Sequence, residues 1–98
     1  MDRPESLDIR DRADRHRYEA WLDGRLVGSS DYHVSGDSIA FTHAEVDPDF
    51  GGQGIGSALA QTSLEDARAA DRRVEPVCSF YRWYLASHPE YADLVASA

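Results

Sequence analysis

A glycine-rich run between two different hydrophobic patterns is the strongest signal in this chain: Asp47-Pro48-Asp49-Phe50-Gly51-Gly52-Gln53-Gly54-Ile55-Gly56-Ser57-Ala58-Leu59. The residues before it alternate as in a β-strand, and those after it have apolar side chains at helical spacing. With so few side chains, this backbone can direct several N–H groups to one point at the start of a helix. Those donors and the positive end of the helix dipole form a binding site for phosphate. A tight turn that needs glycine only for its φ angles is the alternative, and the number of glycines favours the ligand.

Two large classes of phosphate-binding loop are excluded by the residues around the glycines. A Walker A loop needs lysine after its last glycine, but Ser57 stands there and the chain contains no lysine. A dinucleotide-binding fingerprint begins correctly at Gly52 and Gly54 but has Ser57 in place of its third glycine. It also requires a βαβ unit, whereas the strands before the run predict an antiparallel meander.

The whole chain predicts a mixed α/β domain. Three strands come first, separated by turns at Asp23-Gly24 and Ser35-Gly36-Asp37. A long helix, a fourth strand and a second helix follow, and Pro89 separates the second helix from a last helical turn. The predicted strands cover residues 17–22, 25–34, 38–46 and 73–77, and the predicted helices cover 55–70, 79–87 and 90–96. Residues 1–16 are rich in Asp, Glu and Arg, so we predict a flexible leader, or one that pairs loosely with the first strand, before a domain of residues 17–98.

Composition restricts the classes of function. The chain has 98 residues, 42% of them hydrophobic, which suits one globular domain with a single core. Its formal net charge of −8 argues against nucleic-acid binding and is compatible with a cationic amine as acceptor. A single cysteine forms no internal disulfide, which favours a cytoplasmic location, and no stretch approaches the ~20 apolar residues of a membrane span. The Cys and His residues lack zinc spacing, so no metal site is predicted.

Cys78 lies between a predicted strand and a predicted helix. The start of a helix stabilises a thiolate through its dipole and free N–H groups, which favours a reactive cysteine. The alternative is a small buried hydrophobic residue, the commonest situation of a free cysteine. Position alone leaves both interpretations open.

His43 and Glu45 lie two residues apart on the strand that leads into the glycine run, so their side chains share one face. A carboxylate beside an imidazole fixes its tautomer, which is an arrangement suited to proton transfer. The alternative is that both side chains line a solvated edge. His88 precedes a proline and is interpreted as part of a helix stop. The aromatic cluster of the second helix, Phe80, Tyr81, Trp83 and Tyr84, is interpreted as core packing, with Phe80 and Tyr84 on one face.

Several of these motifs resemble the GNAT superfamily of N-acetyltransferases. Gln53-Gly54-Ile55-Gly56 is similar to its motif A, [Arg/Gln]-x-x-Gly-x-[Gly/Ala]. The resemblance to a small, minimal GNAT family extends from Tyr18 to Val95 and rests on Phe41-Thr42-His43-x-Glu45-Val46, Val74-x-Pro76-x-Cys78-Ser79-Phe80 and His88-Pro89-Glu90-Tyr91. One position departs, because Gly51 occupies the place of the Arg or Gln that begins motif A.

The resemblance implies a truncated GNAT fold, in which the strands that flank the first long helix splay apart around acetyl-CoA. Its pantetheine arm would bind the strand edge at Val46. Loss of the Arg or Gln at Gly51 would weaken coenzyme binding roughly ten- to a hundredfold, the effect of one charge-assisted hydrogen bond. The backbone that would bind the pyrophosphate is that of Gly52, Gln53, Gly54, Ile55, Gly56 and Ser57.

The resemblance also implies acetyl transfer to an amine of a small molecule, a polyamine or a protein. Cys78 matches the proposed catalytic cysteine of the small family, and His43 and Glu45 are the candidate catalytic bases. Two other functions stay open. One is a CoA-binding module without catalysis, which the glycine at position 51 favours, and the other is an interaction domain that has kept only the fold.

Overall fold

The computed structural model describes residues 6–95, which form one five-stranded sheet and two α-helices. Strands β1 to β4 are antiparallel neighbours in chain order, and β5 is parallel to β4. The predicted mixed α/β class, with a meander, a helix, a further strand and C-terminal helical turns, is confirmed. The elements are β1 (Leu7–Arg12), β2 (Arg17–Leu22), β3 (Arg25–Ser35), β4 (Ser38–Val46), α1 (Ile55–Ala69), β5 (Arg73–Pro76) and α2 (Ser79–Ser87), with short 3₁₀ helices at Ala13–Arg15, Pro48–Phe50 and Pro89–Leu94.

Strand β1 decides between the two alternatives predicted for the leader: Leu7–Arg12 pairs with the next strand, and a flexible leader is wrong for this segment. It pairs with β2 along its whole length, from Leu7 opposite Leu22 to Arg12 opposite Arg17. Leu7 and Ile9 alternate with charged residues and pack against the core, so they follow the two-residue period of a half-buried strand. Because charged residues outnumber apolar ones in this segment, the two-residue period was not recognised in the sequence. Residues 1–5 lie outside the described part of the chain.

Helices α1 and α2 pack on the same face of the sheet. A methyl group on Gly28 of β3 would lie 3.0 Å from Ile55 and 3.2 Å from Leu59, both in α1. Ser30, two residues along β3 and on the same face, lies 2.6 Å from the hydroxyl of Tyr81 in α2. The core between sheet and helices includes Tyr18, Ala20, Ile39, Phe41, Leu64, Val74, Tyr84 and Leu85. Because Gly28 has no side chain, the start of α1 packs directly against the backbone of β3, and this contact fixes its position.

The opposite face of the sheet is polar and carries a buried carboxylate. Glu19 of β2 is only 1% exposed. Its oxygens accept hydrogen bonds from Arg17 at 2.6 Å and from the indole N–H of Trp21 at 3.1 Å. Burial raises the pKa of Glu19, but the hydrogen bonds from Arg17 and Trp21 outweigh it, and the pKa lies below its usual range.

Side-chain hydrogen bonds attach the C-terminal 3₁₀ helix, which begins in the His-Pro-Glu-Tyr segment, to α1 and α2. The ring Nδ1 of His88 lies 2.8 Å from the carbonyl oxygen of Tyr84, and because a carbonyl only accepts, Nδ1 carries the proton and donates. The hydroxyl of Tyr91 donates to Glu65 at 2.6 Å. Arg68 of α1 binds both carboxylate oxygens of Asp93, at 2.8 and 3.1 Å. His88 therefore ends α2, in agreement with its interpretation as a helix stop.

Candidate active site

Strands β4 and β5 separate part-way along their length. They pair from Ser38 opposite Arg73 to Phe41 opposite Pro76, and β4 then continues alone to Val46. Pro76 has no N–H to donate, so it ends the ladder. One further bond follows, from the N–H of Cys78 to the carbonyl oxygen of Phe41 at 2.8 Å. The edge of β4 from residue 42 to 46 therefore faces an opening that no strand among residues 6–95 fills.

The segment that leads from β4 to α1 is held by side chains. The carboxylate of Asp47 accepts a hydrogen bond from the N–H of Asp49 at 2.9 Å, which begins the 3₁₀ turn. Arg25 of β3 binds the same carboxylate at 2.8 Å, and its guanidinium lies 5.0 Å from the ring centre of Phe50. These contacts fix the path of the chain before the glycines begin.

Three of the four glycines have a local structural reason. Gly52 and Gly54 have φ angles of 79° and 76°, which side chains disfavour. Gly56 lies in the first turn of α1, where a methyl group would be 3.0 Å from Cζ of Phe80 in α2. Gly51 has an ordinary φ of −61°, and a methyl group there would meet only the carbonyl oxygen of Pro48, at 3.5 Å. The glycine content by itself therefore does not prove a ligand site.

The free donors of this turn are the stronger observation. Within the described part of the chain, no N–H from Gly52 to Ser57 donates to another protein group, and the first bond of α1 runs from Ala58 to Gly54. Gly54 is the N-cap and has no side chain to satisfy these groups. The 15-residue helix adds the positive end of its dipole. Such a convergence of unpaired N–H groups can bind a phosphate.

Val46 lies where the glycine turn meets the opening between β4 and β5. The next residue, Asp47, donates its N–H to the carbonyl of Val27 on β3 at 2.8 Å. Successive peptide groups of a strand point to opposite edges, so the N–H of Val46 is directed away from β3. It therefore faces the side where β5 has already diverged.

Cys78 lies at the other side of the same opening. It is half-buried and is the N-cap of α2, with its carbonyl oxygen 3.2 Å from the N–H of Arg82. Its own N–H is occupied by Phe41. The backbone of Cys78 thus joins β4 to α2, while its sulfur makes no hydrogen bond to any residue from 6 to 95.

His43 and Glu45 are brought together on the polar face of the sheet. A β-bulge at Thr42 lets Asp31 pair with His43 while Tyr32 pairs with Phe41. The extra residue turns His43 and Glu45 away from the face to which Phe41 belongs, so both are exposed. Their Nε2 and Oε1 atoms are 3.6 Å apart. Phe41 lies two residues before His43 on β4, and its carbonyl oxygen accepts the hydrogen bond from the N–H of Cys78. This backbone bond is the link between the His43 strand and Cys78.

A buried group of hydroxyls between α2, β3 and α1 was not predicted from the sequence. The hydroxyl of Tyr81 lies 2.6 Å from Ser30 on β3 and 2.7 Å from Ser63 on α1, and its ring stacks on Phe41 at 4.3 Å. Ser63 donates to the carbonyl of Ala60 at 3.1 Å, so Tyr81 donates to Ser63 and Ser30 donates to Tyr81. Burial raises the pKa of Tyr81 to about 12, against the effect of the two serines. Serines at core-facing positions of a strand and a helix were the signal that could have revealed this group.

Two clefts are lined by residues outside the glycine turn. One, of about 310 Å³, is lined by residues 26–29 and 45–48 and includes Glu45. The other, of about 290 Å³, lies at the far end of α1 and is lined by Arg68, Arg72, Asp93 and their neighbours. Among residues 6–95, no group of three or more Cys, His, Asp or Glu side chains could hold a metal ion. In the same part of the chain no helix has the length and apolar character to cross a membrane, and the cytoplasmic location stays a prediction.

Comparison with known proteins identifies the family. The family model described as GCN5-related N-acetyl-transferase matches residues 17–94, most of the chain. This chain belongs to that family. The predictions of a GNAT acetyltransferase and of acetyl-CoA as its co-substrate are thereby confirmed at the level of the family. No match was found among curated proteins.

Solved structures share the fold of this GNAT chain. A GCN5-like protein from Staphylococcus aureus has a TM-score of 0.74 and 23% identity, over 97% of this chain and 93% of that one. Rv2747 from Mycobacterium tuberculosis, solved in complex with CoA, has a TM-score of 0.59 and 28% identity, over 76% of this chain and 47% of that one. The ribosomal-protein-S18-alanine N-acetyltransferase from Escherichia coli has a TM-score of 0.53 and 19% identity, over 68% and 38%. The GNAT chain thus spans less than half the length of the last two proteins.

Proposed function

We propose that this GNAT protein transfers the acetyl group of acetyl-CoA to an amine, with Cys78 beside the thioester. One observation carries the proposal. Strands β4 and β5 part between a turn with free N–H groups and the half-buried Cys78. An elongated ligand with an anionic end and a reactive end fits an opening with these two boundaries.

The coenzyme would be held mainly by backbone. The N–H groups from Gly52 to Ser57 would bind the pyrophosphate, and the N–H of Val46 would bind the pantetheine arm, which lies along a strand edge as another strand would. Gly51 offers no side chain, and its N–H is taken by Pro48 at 3.3 Å. We therefore expect CoA to bind roughly ten- to a hundredfold more weakly than it would with an Arg or Gln at this position.

Cys78 would act in one of two ways. As a thiolate it would attack the thioester carbonyl, release the CoA thiolate and carry the acetyl group, which the amine then removes to regenerate the cysteine thiolate. Alternatively the amine attacks the thioester directly, and the Cys78 thiol donates its proton to the departing CoA thiolate. The free sulfur and its position at the start of α2 suit both routes.

Glu45 or His43 would take the proton of the amine. Both face the polar side of the sheet, and Glu45 also lines the cleft of about 310 Å³. An amine that approaches from this side would reach the opening from the face opposite α1. The net charge of −8 is compatible with a cationic acceptor, such as a polyamine or a protein amine.

The test is the intact mass of the purified protein after incubation with acetyl-CoA. The carrier route predicts one added acetyl group on the wild type and none on Cys78→Ala, and hydroxylamine at neutral pH should remove a thioester but not an amide. Because the chain has no lysine, the N-terminal amine is the main competing site, and an acetyl group there would survive hydroxylamine. Turnover with a panel of amines then tests the direct route. Full turnover by Cys78→Ala would refute both roles of the cysteine.

A CoA-binding module without catalysis is the second candidate, and the glycine at position 51 favours it. Calorimetry with CoA separates the two. Binding of CoA together with no acetylation across the amine panel would support the module. Failure of CoA to bind, or to raise the thermal stability at high concentration, would refute both functions.

A further inference from the structure

An aromatic surface beside the glycine turn has no role in the function described so far. Trp83 of α2 is 57% exposed, although the large aromatic residues of this helix were expected to pack in the core. Tyr81 and Tyr84 are buried as that expectation requires, but Phe80 is only half-buried and Val77 is exposed. We call Val77, Phe80 and Trp83 the aromatic patch. A solvent-exposed tryptophan next to other exposed apolar side chains commonly marks a binding surface.

The aromatic patch begins at the proposed pyrophosphate site. Three ring carbons of Phe80 lie 3.0 to 3.6 Å from a methyl group built on Gly56, in the first turn of α1. The absence of a side chain at Gly56 therefore lets Phe80 pack against the first turn of α1, next to the turn that carries the free N–H groups. The ring of Trp83 follows at 5.6 Å from that of Phe80, measured between ring centres.

Positive charge borders the same surface. Arg82 is exposed, and its Nη1 lies 2.6 Å from the carbonyl oxygen of Val77. In a chain of net charge −8, a guanidinium that contacts Val77 of the aromatic patch favours an anionic ligand with a flat apolar part. A nucleotide that carries an extra phosphate on its ribose has this character.

We propose that Trp83, with Phe80 beside it, stacks on the adenine ring of coenzyme A. This inference rests on the proposed function, because it assumes that the pyrophosphate binds between Gly52 and Ser57. One ribose separates the pyrophosphate of CoA from its adenine, and Phe80 spans the corresponding step between the turn and Trp83. Arg82, which contacts Val77 of the same patch, would then bind the phosphate on that ribose. Stacking on adenine compensates in part for the missing side chain at Gly51.

The two tryptophans of the chain make a direct test possible. Trp21 lies on the polar face of the sheet and donates to Glu19, so Trp21→Phe leaves Trp83 as the single reporter. We expect the fluorescence of Trp83 in this variant to be quenched by CoA and by adenosine 3′,5′-bisphosphate, but not by pantetheine. Unchanged fluorescence at saturating CoA would overturn the assignment.

Calorimetry gives the second measurement. Trp83→Ala should weaken CoA binding by about tenfold or more, the effect of losing one base–aromatic stack, and Trp83→Phe should restore part of it. Affinity for pantetheine should not change. Trp21→Phe is the matched control and should bind CoA as the wild type does.

The outcomes separate this inference from the proposed function. If wild-type protein binds no CoA, the proposed function fails and the adenine site with it. If wild type and Trp83→Ala bind CoA equally, the adenine site is refuted while the proposed function stands. A change of oligomeric state in Trp83→Ala without a change in CoA affinity would also refute it, and would make the aromatic patch a contact between copies.

Discussion

Replacement of Tyr81 by Phe removes one oxygen from a buried chain of three hydroxyls. In that chain Ser30 donates to Tyr81, Tyr81 donates to Ser63, and Ser63 donates to the carbonyl of Ala60. The phenyl ring can keep its stacking on Phe41. The change therefore tests the hydrogen bonds rather than the packing.

The expected cost follows from what each serine loses. Ser63 keeps its bond to Ala60, but Ser30 is 0% exposed and is left without a partner. An unsatisfied buried hydroxyl costs about 1–3 kcal/mol. For a domain of this size each kcal/mol lowers Tm by roughly 4–8 °C. Ser30→Ala alone should cost less, because Tyr81 still donates to Ser63.

The assay is chemical and thermal unfolding of Tyr81→Phe, Ser30→Ala and the double variant, followed by circular dichroism. The double variant removes both ends of the first hydrogen bond, so it should be more stable than the sum of the two single changes predicts. A coupling of about 0.5–3 kcal/mol is expected for groups in direct contact. A loss below about 0.5 kcal/mol in Tyr81→Phe, the range of neutral surface changes, would refute the reasoning. Strict additivity in the double variant would refute it as well.

Three further predictions concern the glycine turn, the buried carboxylate and the C-terminal ion pair. Gly52→Ala and Gly36→Ala each place a side chain at positive φ in open space and should cost about 1–2 kcal/mol of stability, but calorimetry should show weaker CoA binding only for Gly52→Ala. The lowered pKa of Glu19 means that its stabilisation is present above the ordinary value of 4.5 and is lost as the pH falls below it. Glu19→Gln should therefore lose less unfolding free energy on acidification than the wild type, and an equal loss in the two proteins, measured by urea unfolding at each pH, would contradict this. Asp93→Asn removes the exposed pair with Arg68 and should lower Tm slightly at low salt and not at high salt, so a loss independent of salt would argue against a charge effect.

Local sequence was sufficient for most elements of the fold. The strands at 17–22 and 38–46 and the helix at 79–87 have the predicted boundaries, because hydrophobic period, hairpin turns and glycine–proline breaks act over a few residues. The exception is β1, where Asp and Arg outnumber the two apolar residues that pack inward. A strand of this kind forms only because β2 supplies the neighbouring edge.

The residues of the candidate site stay a prediction from the sequence, and their arrangement came from the tertiary structure. The glycine turn predicted an anion site from local sequence. The structure shows that position 56 needs glycine because a side chain there would meet Phe80, which is distant in the chain. His43 and Glu45 share a face as the alternation requires, yet a β-bulge at Thr42 decides which face that is. No local pattern in the sequence marks that extra residue.

The sequence by itself determined the order of the elements after β1, the glycine-rich turn before the first long helix and the acetyltransferase family of this protein. These follow from backbone preferences and motifs confined to short segments. Three features were decided only by the tertiary structure. Strands β4 and β5 separate after Phe41, the N–H of Cys78 donates to Phe41 at the edge of the opening, and the side chain of Trp83 is exposed. The first two depend on contacts between segments more than 20 residues apart, which form only when the chain has folded, and the third depends on which face of α2 packs against the sheet.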